Sequence, residues 1–289
     1  MMNRRVVGVW MLTLGCLLLV APSAAVAKDK NAVLVTVDTV SAFPETTIGA
    51  AAALEIARLA ATRGWKSKDL ADRERVRLYR LLRDSLATAA TLVDGALKAH
   101  KDNGDAVKRL ETARKVIGDT RALLPADSTK GAVTRLDFRA VSRELDKAWL
   151  AAHVAATTVN KRAGTMVKMA VLQGLIGKQG VVAVIGEKGL EGVVALLGPH
   201  GSVDVNAVVG TNSLVTKIAA ETKSIDKAGA ESLEAARKAV MTNLKAPAPT
   251  LAVKLDELAA ANASLIATLS APAVQTKTPS PAVKGLDGL

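Results

Sequence analysis

The sequence predicts an all-α protein, an elongated antiparallel bundle of about five or six helices. Apolar residues recur over long stretches at alternating steps of three and four, which is the spacing of one face of an α-helix. Alanine, leucine and valine supply most of these residues, whereas the 289 residues include only three Trp, two Phe and one Tyr. Alanine has the highest helix propensity, and its small side chain lets helix axes approach closely. Because short turns separate the periodic stretches, we expect neighbouring helices to be antiparallel.

The first 27 residues have the three parts of a secretory signal peptide. Arg4 and Arg5 form a positive start, an apolar run extends over residues 6–20, and residues 25–27 form an Ala-Val-Ala cleavage site. We therefore expect an exported protein, periplasmic or secreted, of bacterial origin. The apolar run is near the lower limit for a membrane span, about 17 residues. An uncleaved anchor is thus the alternative, which the cleavage site disfavours.

Composition excludes several classes of function. Cys16 is the only cysteine and lies in the predicted leader, so the mature chain has no thiol for a disulfide, a metal site or a nucleophile. Export and the scarcity of aromatic residues count against nucleic acid as a partner. Residues 28–163 contain 25 Lys and Arg against 17 Asp and Glu, whereas residues 164–289 contain 12 against 10. The two halves therefore present different surfaces.

An extended N-terminal arm is predicted at 28–44, where three valines alternate without a partner strand. The basic helical bundle region, 45–163, follows with four helices, of which the last has a sustained heptad pattern. Their predicted buried stripes are Ile48, Ala52, Ile56 and Leu59; Leu78, Leu82, Ser85, Ala89, Val93 and Ala96; Ala106, Leu110, Ala113, Ile117, Thr120 and Leu124; and Phe138, Val141, Leu145, Ala148, Ala152, Ala155, Val159, Arg162, Met166 and Met169.

Local signals mark the ends of these helices. We expect Gly64 to close the first helix and Ser67 to cap the second. Lys101 to Gly104 form a turn before the third. Arg162 and Gly164 interrupt the heptad pattern of the fourth, so we expect a kink or an end there.

The C-terminal helices are predicted at 204–270 and a disordered tail at 271–289, which is rich in Pro, Thr, Ser and Lys. Asn262 occupies a polar position in the stripe of the last helix. The predicted stripes are Leu214, Ile218 and Ile225; Leu233, Ala236, Val240 and Leu244; and Leu251, Leu255, Leu258, Leu265 and Leu269.

Between these regions lies a glycine-periodic apolar segment, 164–203. From Gly174 to Gly201 every third residue is glycine, except two that are alanine. One interpretation is a set of short apolar pieces, broken by glycine and packed into the bundle. The other is a mobile element for apolar membrane insertion or self-association. The contact positions of that second interpretation are Gly180, Gly186, Gly189 and Gly192.

No catalytic, cofactor or metal motif is found in the sequence, so we expect no enzyme, no cofactor and no metal. Neither His100, His153 nor His200 has a second ligand at the spacing that helical zinc sites use. His153, one turn from Trp149, is expected to be a partly buried, hydrogen-bonded residue. An active site assembled from distant residues leaves no such motif.

Arg73, Arg77 and Arg80 share one face of the second helix. One interpretation is a contact surface for anionic headgroups or an acidic partner. The favoured interpretation is a solvated face whose arginines pair with the acidic residues between them, because interspersed charges are normal on exposed helices.

Two function classes follow. The first is an exported, non-enzymatic protein of the cell envelope that binds or organises an unknown protein partner through its helix faces, with a homo-oligomer as one form. The alternative is a peripheral membrane-surface binder that uses the arginine-rich helix on an anionic envelope surface and inserts the glycine-rich segment.

Overall fold

In the computed structural model, the described residues all belong to one compact unit, 33–289. The predicted all-α class is confirmed: across the described ranges the regular structure is helical, without a strand, and the helices pack on one another. The elongated shape stays a prediction. The described ranges are 45–66, 70–126, 130–176 and 205–270. The helices are α1 (Thr46–Lys66), α2 (Asp72–Ala99), α3 (Gly104–Ala122), α4 (Lys130–Thr134), α5 (Phe138–Val159), α6 (Ala163–Ile176), α7 (Val205–Val209), α8 (Leu214–Thr222), α9 (Lys227–Thr242) and α10 (Ala248–Ser270).

Four helices of the basic region close into what we call the first four-helix ring. In it α1 packs on α2, α2 on α3, α3 on α5, and α5 returns to α1. Hydrogen bonds show that α1 and α5 are antiparallel. The Thr62 and Ser142 hydroxyls lie 3.2 Å apart toward one end, and Asn160 Nδ2 donates to Glu45 Oε2 at 3.1 Å at the other. The short helix α4 packs against α2.

A second four-helix ring is formed by α6, α8, α9 and α10. Here α6 packs on α10, α10 on α9, α9 on α8, and α8 returns to α6. The short helix α7 packs on α8 and α9, and Arg237 of α9 donates from Nη1 to the carbonyl oxygen of Val209 at 2.8 Å. Contacts of α6 with α1 and α5 join the second ring to the first.

The predicted buried stripes agree closely with the core. Every stripe residue of α2 and the five leucines of α10 are buried, as is the stripe of α3 except at its last residue, Leu124. The fourth stripe is buried from Phe138 to Ala155 on α5 and again at Met166 and Met169, which belong to α6, whereas Val159 is half-buried and Arg162 is exposed. Ile225 is different, with 48% of its surface exposed, because it lies in the turn after α8, where its N–H bonds the Thr222 carbonyl. Helical periodicity therefore identified the buried faces, and it failed where a turn ended the helix.

Two predicted helix boundaries are wrong. Ser67 does not cap the second helix, which begins at Asp72 with Ala71 at the N-cap position and no side-chain cap. The chain first buries Leu70, and the helix starts after it. Gly64 does not close α1, which continues to Lys66. A Cβ on Gly64 would overlap the ring of Phe138, so the glycine is needed for the close approach of α1 and α5.

The interruption expected near Arg162 is a break between two helices. Helix α5 ends at Val159, and Asn160 bridges the gap by accepting the Arg162 N–H on Oδ1 at 2.8 Å. Helix α6 begins at Ala163, so residues 164–176 of the glycine-periodic segment form a regular helix in which Gly174 is buried. The rest of that segment lies outside the described residues, as do the arm at 28–44 and the tail at 271–289.

Candidate functional site

A cleft of about 600 Å³ opens where the two four-helix rings meet. Its volume is typical of sites for small organic molecules, about 300–1,000 Å³. Helices α1 and α5 form one side, and α6, α7 and α8 form the other. The apolar residues of its wall are Leu59, Val167, Val171, Leu175, Ala207, Val208 and Leu214.

The charged side chains of the cleft are mostly cationic. Five cations and one carboxylate, that of Glu55, are among its described lining residues. The residues from α1 share one helix face, because they follow one another at helical steps from Glu55 to Lys66. The cationic residues are Arg58, Arg63, Lys66, Lys168 and Lys217.

Arg58 and Lys168 already have acidic partners. Arg58 donates from Nε and Nη2 to the two carboxylate oxygens of Glu55, each at 2.7 Å, and from Nη1 to Asp146 at 3.3 Å. The hydrogen bond with Glu55 raises the pKa of Arg58 above its ordinary value, against the opposing effect of burial. Lys168 pairs with Glu221, which also accepts a hydrogen bond from Thr165. These two cations therefore hold the helices together.

Trp149 and His153, one turn apart on α5, stack on each other. Their ring centroids are 5.0 Å apart, and the ring planes are inclined by 23°. The Arg58 guanidinium carbon lies 4.8 Å from the centroid of the Trp149 ring, in a separate cation–π contact. Burial, followed by the charge of Lys168, lowers the pKa of His153 below its ordinary value, although Glu55 raises it. The imidazole is therefore neutral at pH 7.

The structure corrects one expectation about His153. It is partly buried, as predicted, but its Nδ1 atom is buried without a hydrogen-bond partner among the described residues. The indole Nε1 of Trp149 and the Nε of Arg63 are also buried without a hydrogen-bond partner among the described residues. The imidazole is therefore stacked on Trp149 without the hydrogen bond that the sequence predicted for it. Arg63 has neither an ion pair nor a hydrogen bond in the part of the chain that the structure describes.

Two of the residues that the sequence suggested as sites have described side chains, and neither lines this cleft. These are Arg77 and Arg80, which are half-buried on α2, and each has a partner. Arg73 belongs to the same helix, but its side chain is outside the described part of the structure. Gly180, Gly186, Gly189 and Gly192 lie outside the described residues.

Sequence reasoning missed the cleft because its residues come from five helices. The available signals were a charged stripe on α1, whose members lie three or four residues apart, and the Trp149–His153 pair one turn apart on α5. Neither signal shows which helix faces which, and the pairing of α1 with α6 spans more than a hundred residues of sequence.

In the described ranges, no group of three or more His, Cys, Asp or Glu is arranged to hold a metal ion. Nor is any helix there both long enough and apolar enough to cross a membrane. No protein-family model, curated protein or solved structure matches this chain. The site is therefore interpreted from its own geometry.

Proposed function

We propose that this chain is an exported, non-enzymatic helical binding protein of the cell envelope, and that it holds a small molecule in the cleft between its two four-helix rings. The observation that carries the proposal is the cleft itself, whose described lining combines apolar walls with residues that have buried side-chain nitrogens without a partner. Such a combination is typical of ligand sites, where a few polar groups orient an otherwise apolar ligand. Export is supported by the first 27 residues.

The polar groups of the cleft favour binding over catalysis. Both oxygens of Glu55 already accept hydrogen bonds from the Arg58 guanidinium. The Thr62 hydroxyl bonds Ser142 rather than the imidazole of His153. A hydroxyl nucleophile is activated by a general base within hydrogen-bond reach, which Thr62 lacks in this arrangement. These contacts instead support a rigid wall against which a ligand rests.

A rim substitution tests this proposal. Ala207 lines the cleft and is exposed, so Ala207→Trp should obstruct the opening at little expense in stability. The probe is 8-anilinonaphthalene-1-sulfonate, followed by its own fluorescence and by quenching of tryptophan emission. We expect saturable binding at one site, weakened by about tenfold or more in Ala207→Trp, a loss of about 1.4 kcal/mol.

The matched control is Ala260→Trp, which adds the same side chain at an exposed position of α10 outside the cleft. It should bind the probe like the unmodified chain. Absence of saturable binding, or equal binding by both variants, would contradict the proposed site.

The membrane-surface alternative stays a prediction with its own test. Flotation with anionic and neutral vesicles should give no binding if the cleft is the principal site. Binding to anionic vesicles alone that is lost in the triple variant Arg73→Ala, Arg77→Ala and Arg80→Ala would favour the alternative.

A further inference from the structure

We infer that the ligand of this cleft is an organic anion, an apolar body carrying one acidic group such as a carboxylate, phosphate or sulfonate. The inference rests on the proposed function and specifies the chemistry of its ligand. Two observations support it. The buried side-chain atoms without partners are nitrogens, and cations outnumber carboxylates among the described lining residues.

Among the described residues that line the cleft, the buried side-chain polar atoms without a partner are all nitrogens. Arg63 Nε and Trp149 Nε1 always carry a hydrogen and can only donate, and His153 Nδ1 donates in one of its two tautomers. Elsewhere in the described ranges the unpaired buried atoms are all oxygens, on Asp84, Ser85 and Asn262. These nitrogens are shielded from water, so a ligand reaches them only when their side chains rotate toward the cleft. A ligand that then supplies acceptors is favoured, because a buried donor without an acceptor is destabilising.

The charges of the cleft independently favour an anionic ligand. Among the described residues, Arg63, Lys66 and Lys217 line the cleft without an acidic partner, and Lys66 contacts only the indole face of Trp65 at 5.4 Å. The one carboxylate of the cleft, Glu55, is occupied by Arg58. An acidic group entering the cleft therefore meets uncompensated positive charge within partly apolar walls, where Coulombic attraction is stronger than in water.

Helix geometry locates the acidic group. Arg63 lies five residues beyond Arg58, a rise of about 7.5 Å along α1. The same five residues turn the helix by about 140°, so Arg58 and Arg63 lie at opposite edges of the face that lines the cleft. We place the acidic group beside Arg63, which has no acidic partner among the described residues, and the apolar body against Val171 and Leu175 of α6.

A pair of matched probes tests the inference. N-phenyl-1-naphthylamine has the ring system of 8-anilinonaphthalene-1-sulfonate without the sulfonate. We expect the sulfonate to bind about tenfold or more tightly than the neutral probe, since hydrogen bonds to charged groups are stronger than neutral ones. Arg63→Gln should weaken the sulfonate by about the same factor and leave the neutral probe within about twofold.

Arg109→Gln, at an exposed position of α3 outside the cleft, is the matched control and should change neither affinity. If Arg63→Gln does not fold, Lys217→Gln at an exposed cleft position serves instead. Equal binding of both probes, blocked by Ala207→Trp and insensitive to the lost cation, would overturn the anion inference and retain the binding cleft. Binding of neither probe, or binding insensitive to Ala207→Trp, would instead reject the proposed function.

Discussion

The two four-helix rings are built around helices of opposite kinds. In the first ring, α1 is packed with alanine, and seven of its alanines have no exposed surface. In the second ring, α6 is buried on nearly all sides through larger residues. The alanines are Ala50, Ala51, Ala52, Ala53, Ala57, Ala60 and Ala61, and the larger residues are Met166, Val167, Met169, Val171, Leu172, Leu175 and Ile176.

This difference explains where the cleft lies. Alanine leaves little space between helices, so α1 fits closely against α2 and α5, and a glycine at position 64 admits the Phe138 ring. The face of α1 that turns toward the second ring carries long charged side chains instead, from Glu55 to Lys66. Long flexible side chains cannot fill an interface at the density of a helical core. A cavity with charged edges therefore forms between two well-packed rings.

The rings also differ in a buried polar contact. Asn262 of α10 is fully buried in the second ring, and its Nδ2 donates to the carbonyl oxygen of Met169 and to Gln173 Oε1, both at 2.9 Å. These bonds join α10 to α6 at one register. A buried amide that must find its acceptors disfavours other registers, which apolar contacts alone would tolerate.

Removing volume from the second ring should have the largest effect on stability. Leu172→Ala on α6 should lower the free energy of unfolding by about 2–5 kcal/mol, because it leaves a cavity among large side chains. Urea denaturation followed by circular dichroism measures the loss. Leu150→Ala, at a leucine that is 56% exposed, is the control and should change stability by at most about 0.5 kcal/mol. Similar losses in the two variants would show that α6 is not a core helix.

Adding volume to the first ring should have the next largest effect. Ala57→Leu on α1 should lower the free energy of unfolding by about 1–3 kcal/mol, because closely packed helices must separate to admit the larger side chain. The same denaturation experiment applies, with Ala260→Leu on the exposed face of α10 as control. A fully stable Ala57→Leu protein would mean that the alanine core has spare room and that the contrast between the rings is wrong.

The smallest expected effect is a pH dependence of anion binding at the junction of the rings. In the free protein, burial and the charge of Lys168 lower the pKa of His153, with Arg58 and Glu55 facing it from α1. A bound anion offsets the cationic neighbours and raises that pKa again, so binding takes up a proton. Affinity for 8-anilinonaphthalene-1-sulfonate should therefore rise as pH falls through the bound-state pKa, by at most about tenfold per unit of pKa difference.

His153→Gln should remove this pH dependence, and a variant that keeps it would show that another group titrates. The sign for stability is opposite to that for binding. An unfolded histidine takes up its proton near pH 6.5, whereas folded His153 does so only at lower pH. The unfolded chain thus binds more protons between the two pKa values, and the ligand-free protein loses stability as pH falls through that window. Thermal denaturation of the unmodified protein and of His153→Gln across this pH range measures the difference.

Much of the fold followed from the spacing of apolar residues. The stripes of α2, α5 and α10 were assigned correctly because one face of a long helix must be apolar to be buried, whatever it packs against. Two helix boundaries were predicted wrongly, because they depend on tertiary contacts. The start of α2 at Asp72 follows the burial of Leu70, and the continuation of α1 past Gly64 goes with the contact of that glycine with Phe138. The candidate site was not predicted, because no single helix contains it.

The sequence by itself determined that this protein is helical, which helix faces are buried, and that a cationic excess lies in its first part. Those properties are local, because a helix repeats every 3.6 residues and every apolar stripe must leave water. Only the tertiary structure decided that the charged face of α1 lies opposite α6 and α8, and that Trp149, His153 and Arg63 line one cleft with buried nitrogens that have no partner among the described residues. Those relations depend on how distant helices close into rings, which local periodicity does not encode.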